Sequence, residues 1–207
     1  VASYRFDFGD GSPAVTTTAP TATAQHTYAA SGTYTVTLTA TDSGGFASTP
    51  VSVSVAVMAA LDIRVAASSD DAEESATLKS NIGNNDLELV YDRSNQTVGM
   101  RWAALPIPRG ATLTAAYIQF TARESQSEAT SLTIRGQAGD NAPAFTTANG
   151  NVSTRPRTTA QAGWAPPAWT AGQAGAGQRT PDLSAVIQEI VNRPGWVSGN
   201  ALAIIIT

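Results

Sequence analysis

The densest group of residues able to do chemistry is Asp70-Asp71-Ala72-Glu73-Glu74, with Asp86, Glu88 and Asp92 close behind. Carboxylates at this spacing repel one another unless something offsets their charge. A calcium ion, with about six to eight oxygen ligands, would do so, and Asp70, Asp71, Glu73 and Glu74 are its candidate ligands. The spacing is not that of an EF-hand loop. A solvated acidic loop accounts for the same residues, and both readings stand.

Trp164 and Trp169 flank Pro166-Pro167 in Gly163-Trp164-Ala165-Pro166-Pro167-Ala168-Trp169-Thr170. A stiff loop bearing two indoles could offer flat faces to the C–H side of a sugar or to a protein interface, which makes both tryptophans candidate ligand-binding residues. The plainer alternative is that they cover the core beneath a long loop. Trp102 and Trp196 lie among apolar neighbours and read as core.

Asp7 and Asp10 belong to a strand that runs into Gly9-Asp10-Gly11. Their preferred role is to satisfy backbone amides of that turn, with a calcium site as the sharper reading. His26 is the single histidine, and packing and hydrogen bonding suit it better than catalysis. A serine nucleophile needs a nearby base, and one histidine in the other half of the chain cannot supply it. No P-loop, dinucleotide fingerprint or zinc motif is present. A carboxylate pair such as Glu73 with Asp92 could hydrolyse a glycoside, but nothing in the sequence brings the two to one cleft. The chain is therefore read as a non-enzyme.

These residues sit in 207 residues of which 14% are charged, with a net charge of -4. Lys79 is the only lysine and the arginines are scattered, so no basic patch exists for nucleic acid. No apolar run approaches the roughly 18 residues of a membrane span. Cysteine is absent, which excludes disulfides and thiolate metal sites without assigning a compartment.

The elements that must position these residues are mostly short strands. Tyr4, Phe6 and Phe8 alternate with Arg5 and Asp7. Tyr34, Val36, Leu38 and Ala40 alternate with threonines, and Val51, Val53, Val55 and Val57 make a third such strand. Asp42-Ser43-Gly44-Gly45 is a turn between them. Residues 55 to 65 contain no Pro, Gly or charge run, so the joint to the second half reads as short and stiff.

Beyond it, Leu87, Leu89 and Tyr91 alternate, as do Val98, Met100 and Trp102, and Ala116, Ile118 and Phe120; Leu132 and Ile134 follow. Residues 139 to 180 read as a long loop. One helix is expected at about 181–192, with Thr180 as N-cap, Pro181 in its first position, and Leu183, Val186, Ile187, Ile190 and Val191 on one face. Ile204-Ile205-Ile206 close the chain as a strand.

Tyr4 to Ser12 (Y-R-F-D-F-G-D-G-S), His26-Thr27-Tyr28 and Gly32 to Asp42 (G-T-Y-T-V-T-L-T-A-T-D) together resemble the PKD (polycystic kidney disease) repeat. That resemblance implies an immunoglobulin-like β-sandwich of secreted and cell-surface proteins over residues 1–58. Such repeats usually carry further strands ahead of this motif, so the module is expected to be incomplete at its start. Thr97 to Trp102 (T-V-G-M-R-W), Ile107 to Phe120 and Leu183 to Trp196 resemble the DNRLRE-type modules related to carbohydrate-binding module family 96. These are jelly-roll β-sandwiches of bacterial extracellular proteins. The resemblance implies such a module over 59–207, with its last strand expected to be missing.

The expected fold is thus all-β, an immunoglobulin-like sandwich followed by a jelly roll with one short helix. The first functional reading is a structural or adhesive segment of a larger bacterial secreted or surface protein, a filament subunit among the options, whose open strand edges pair with a neighbouring chain or another copy. The alternative is a calcium-stabilised carbohydrate-binding tandem that targets an enzyme to its polysaccharide. A free-standing hydrolase ranks last.

Overall fold

Alternation of aromatic with polar residues makes the first strand, β1 (Ser3–Asp7). The Thr-rich repeat makes β3 (Gly32–Thr41), and the valines make β4 (Val51–Val57). Between them lies β2 (Val15–Thr18), which periodicity does not announce, because Val15 is its one apolar residue. The computed structural model describes residues 1–84 and 86–207, and the chain divides into two units, Val1–Asp62 and Ile63–Thr207.

In the first unit the four strands form one antiparallel sheet in the order β2-β1-β3-β4. Phe6 lies opposite Val15 and Leu38, and Leu38, Val36 and Tyr34 lie opposite Val51, Val53 and Val55. Directly opposed residues share a face. One face is therefore mostly apolar, with Thr17 of β2 opposite Tyr4 as its polar member, and the other carries Arg5, Asp7, the threonines of β3, Ser52 and Ser54. Residues 19 to 31 bring His26 and Tyr28 onto Phe8 and Tyr34 in a run of stacked and edge-on rings. Phe8 is the single buried hydrophobic residue of this unit.

The second unit is built on a sheet of order β10-β9-β11-β8-β5-β6, with β7 paired to β8. Its strands are β5 (Asp71–Ser75), β6 (Ser80–Asn81), β7 (Tyr91–Asp92), β8 (Ser94–Trp102), β9 (Leu132–Gln137), β10 (Arg157–Trp164) and β11 (Leu202–Ile206). Strand β11 lies between β8 and β9 and is buried on both faces, which is why it reads Leu-Ala-Ile-Ile-Ile without alternation. Leu202, Ile204 and Ile206 join the larger core with Val98, Met100, Ile134, Trp164 and Trp196. Ala203 and Ile205 face a smaller core of Ala72, Ala142, Phe145 and Val152.

The larger core is closed by an irregular layer rather than a regular sheet. Residues 116–126 run against 169–183 through backbone bonds such as Phe120 N–H to Gln178 O (2.9 Å) and Leu183 N–H to Ala116 O (2.7 Å). The helix α1 (Ser184–Val191) packs against the same side, over β9 and β10. A side chain at Gly136 would meet Ile190 at 2.6 Å, so glycine lets the helix approach the sheet. On the other face a Cβ at Gly99 would lie 2.5 Å from the Phe145 ring. The fold is all-β with one short helix.

Three local expectations are corrected. The helix starts at Ser184, not at 181, because residues 180–183 still pair with the 116–118 segment: Thr180 Oγ1 accepts from Ile118 N–H (3.0 Å) and does not cap the helix. Asp182 instead accepts from Ser184 N–H (3.0 Å) and Ala116 N–H (2.9 Å). The presumed loop 139–180 contains β10, whose inward residues ahead of Trp164, namely Thr158, Ala160 and Ala162, are too small or polar to show an apolar alternation. The stretch holding Leu87 and Leu89 is not a strand; both pack against the larger core from outside the sheet.

Candidate functional site

The acidic cluster lies on and just before β5, and strand geometry decides its fate. Successive side chains point to opposite faces. Asp70 and Glu74 turn toward the 138–156 segment, and Asp71 and Glu73 toward residues 82–90. Asp70 is 5% exposed and pairs with Arg101, whose Nε donates to Ala142 O at 2.8 Å. Glu74 is 1% exposed and accepts from Val152 N–H (2.7 Å), Ser80 Oγ–H (3.0 Å) and Ser153 N–H (3.2 Å). These carboxylates are occupied by protein donors and anchor the segment that covers the smaller core.

On the other face Glu73 is 4% exposed and accepts from Glu88 N–H (2.6 Å) and from the Asn84 side chain. Glu88 Oε2 is buried and has no hydrogen-bond partner among the described residues. Burial first, and the neighbouring Glu88 next, push the Glu73 carboxyl up to about 7. Burial also pushes Asp71 up, with the charge of Asp70 adding to it. Asp70, Asp71, Glu73 and Glu74 therefore do not form one coordination sphere. Among the described residues no three carboxylates or imidazoles converge on a point, so the expected donor set does not fit a calcium ion.

A pH dependence follows. Glu73 holds its proton more tightly folded than unfolded, so its contribution favours folding fully below about pH 4.5 and is lost as pH rises through about 7. Urea unfolding of the chain should show a declining midpoint between those values, and Glu73→Gln should flatten the decline.

The tryptophan loop is also redirected. Trp164, at the end of β10, is 7% exposed and lies in the larger core, its ring near-parallel to that of Phe120 with centroids 5.8 Å apart. It presents no face to a ligand, because β10 pairs it with Leu132 and turns it inward. Trp169 is half-buried against the same core, and its Nε1–H donates to Gly177 O (3.0 Å). Beside it an open cavity of about 380 Å³ is lined by Pro167, Ala168 and residues 173–178, none of them charged.

At the amino-terminal turn Asp7 Oδ1 accepts from Gly9 N–H (3.1 Å), and Asp10 Oδ1 accepts from Ser12 N–H (3.1 Å) and Ser12 Oγ–H (2.6 Å). Asp10 Oδ2 lies 2.7 Å from His26 Nε2. The Ser12 hydroxyl bond, then His26, bring the Asp10 carboxyl down to about 2. Gly9 has φ +73°, and a Cβ there would collide with the Thr35 carbonyl. Asp7 and Asp10 thus lie within the turn and hold it together.

Reading the sequence missed the basic partners. Arg101, Arg155 and Arg157 lie around the acidic strand. Arg155 is 7% exposed, donates to Gln137, Pro143 O and Ala144 O, and stacks 4.0 Å over Phe145. Burial lowers its guanidinium to about 10. The one available signal was the placement of Arg101 between Met100 and Trp102, in the apolar half of β8.

Comparison with known families agrees with the first unit: residues 1–57 match the PKD domain model. PKD domains are non-catalytic immunoglobulin-like modules typical of extracellular proteins. No curated protein and no solved structure matches the chain. Among the described residues no helix is long and apolar enough to cross a membrane.

Proposed function

We propose that this chain is a non-catalytic structural or adhesive segment of an extracellular or cell-surface bacterial assembly, in which the sheet of its PKD-matched unit packs against a neighbouring polypeptide. The observation that carries this reading is the state of that sheet. One face carries Val15, Tyr4, Phe6, Tyr34, Val36, Leu38 and the valines of β4, with Thr17 as its polar member, yet Val51 and Val53 are 70% and 61% exposed. Apolar faces of sheets are normally buried against a second layer, and a contiguous exposed patch of this kind marks an interaction surface. The edge strand β4 adds a row of unpaired backbone groups beside it.

The non-catalytic part rests on the carboxylates and the imidazole. Asp70, Glu74 and Asp10 are held by protein donors, and His26 is held by Asp10. The reading as a calcium-stabilised carbohydrate-binding tandem draws on Trp164, Trp169 and the acidic cluster. The inward turn of Trp164 and the divergence of the four carboxylates remove most of that support. A jelly-roll class for the second unit remains part of the proposal, supported by an antiparallel sheet with one helix ahead of its last strand.

The chain has no cysteine, so a single introduced one reports its surroundings. Ser54 lies on the polar, exposed face of β4. In intact source cells, Ser54→Cys should react with a membrane-impermeant maleimide at the rate seen after lysis. Reaction only after lysis would refute an extracellular site.

A further inference from the structure

Asn149-Gly150 is the one Asn-Gly pair in the sequence, and it lies in the segment that covers the smaller core. Such a pair is chemically labile, because glycine has no side chain to shield its backbone nitrogen from the carboxamide just before it. Asn149 is exposed and Gly150 is buried. Gly150 is the third residue of a turn in which Asn151 N–H donates to Ala148 O (3.2 Å), and its φ of +75° is one that glycine adopts without strain. In the folded chain its nitrogen is not free to react. The Gly150 N–H donates to Leu78 O in the turn between β5 and β6 (2.8 Å). The Gly150 carbonyl accepts from Thr154 N–H (3.1 Å) and Thr154 Oγ–H (2.6 Å). Just beyond, the N–H groups of Val152 and Ser153 are held by Glu74.

We propose that Asn149 is a modification site that converts itself to aspartate or isoaspartate when this segment opens, and that the Leu78 carbonyl and Glu74 hold it closed. In the open segment the Gly150 nitrogen gives up its proton and attacks Asn149 Cγ. The new N–C bond closes a succinimide ring, and Asn149 Nδ2 leaves as ammonia, taking the proton. Water then adds across one of the two imide C–N bonds. Cleavage at Cγ gives aspartate on the original backbone. Cleavage at the backbone carbon gives isoaspartate, whose main chain runs through the former side-chain methylene. Water is the only co-reactant. The position gives the reaction a consequence. An isoaspartate lengthens the chain just ahead of Val152 and Ser153. Their amides then cannot reach Glu74 while Gly150 stays bonded to Leu78. The cover of the smaller core is loosened, so the second unit loses stability with age.

Peptide mapping by mass spectrometry of the purified chain, aged at mildly alkaline pH, tests this. Asn149 in the folded chain should be converted at least about tenfold more slowly than in the same chain in urea, because the reaction waits on local opening. Glu74→Gln should speed the folded-state conversion at least about tenfold and leave the rate in urea unchanged. Asn149→Gln, at an exposed position and with a side chain too long to close the same ring, should abolish the conversion and the fall of the urea midpoint on ageing. Equal rates in the folded chain and in urea would overturn the proposal. So would a folded Glu74→Gln chain that reacts no faster than the parent, or an Asn149→Gln chain that loses stability on ageing as the parent does. The first and last comparisons do not depend on whether Glu74→Gln folds.

Discussion

Glu74→Gln should destabilise the second unit by about 3 kcal/mol, although it is nearly isosteric and lies far from any open surface. The Glu74 carboxylate is 1% exposed and receives two backbone N–H groups, of Val152 and Ser153, and the Ser80 hydroxyl. Hydrogen bonds to a charged acceptor contribute about 1.5–3 kcal/mol each, and a buried donor left without a partner costs about 1–3 kcal/mol. A carboxamide keeps one accepting oxygen and turns an NH₂ toward donors, so at least one amide of the 152–153 turn is orphaned. That turn places Val152 in the smaller core beside Phe145, so the loss should spread to the segment that covers it. Asp71→Asn supplies the contrast. Burial disfavours the charge of Asp71, so its removal should be neutral or slightly stabilising. Urea unfolding of both variants, with and without added calcium, measures the difference. A Glu74→Gln midpoint equal to that of the parent would show that the acidic strand is not a structural anchor.

The second large effect is expected at Trp164. Truncation to alanine should cost about 3 kcal/mol, in the range for a large aromatic removed from a core. The indole is 7% exposed, packs near-parallel on Phe120 and lies 6.0 Å from the Trp169 ring. Its loss would open a void under the 116–126 layer, where Phe120 has few other aromatic contacts. The effect should appear as lower stability. If Trp164→Ala left the unfolding midpoint unchanged and abolished binding to a polysaccharide, the indole would be a ligand platform and its inward placement would be wrong.

How much of this was legible in the sequence depended on what each residue had to do. Strands with one wet face announced themselves: Tyr4-Phe6-Phe8, Tyr34 to Ala40 and Val51 to Val57 alternate because one side of their sheet is apolar and the other polar. The turn at Gly9-Asp10-Gly11 was equally plain, since a left-handed backbone beside the Thr35 carbonyl leaves room only for glycine. Strand β5 was hidden for the opposite reason. Asp-Ala-Glu-Glu-Ser has the composition of a solvated loop, and its burial depends on Arg101, Val152 and Ser153, which are distant in sequence. Strand β10 was hidden by its small inward residues, and β2 by its threonines.

The tryptophans show the same limit. An indole suits a ligand and a core equally well, and the neighbour that decides for Trp164, Phe120, lies on another layer. The acidic residues stood out by their density, but residue type could not tell a cation's ligands from anchors for backbone amides. Alternation along β5, once the strand was known, separates Asp70 and Glu74 from Asp71 and Glu73.

The central claim is that the apolar face of the first unit is covered in the working protein. It is tested most directly by alkylation of Val53→Cys and Ser54→Cys in source cells, compared at one reagent concentration. These neighbours are 61% exposed and exposed, respectively, in the single chain, on opposite faces of one edge strand. The account predicts that Cys at 53 reacts at least about tenfold more slowly than Cys at 54, because a second layer excludes the reagent from one face alone. Equal rates at the two positions would contradict it.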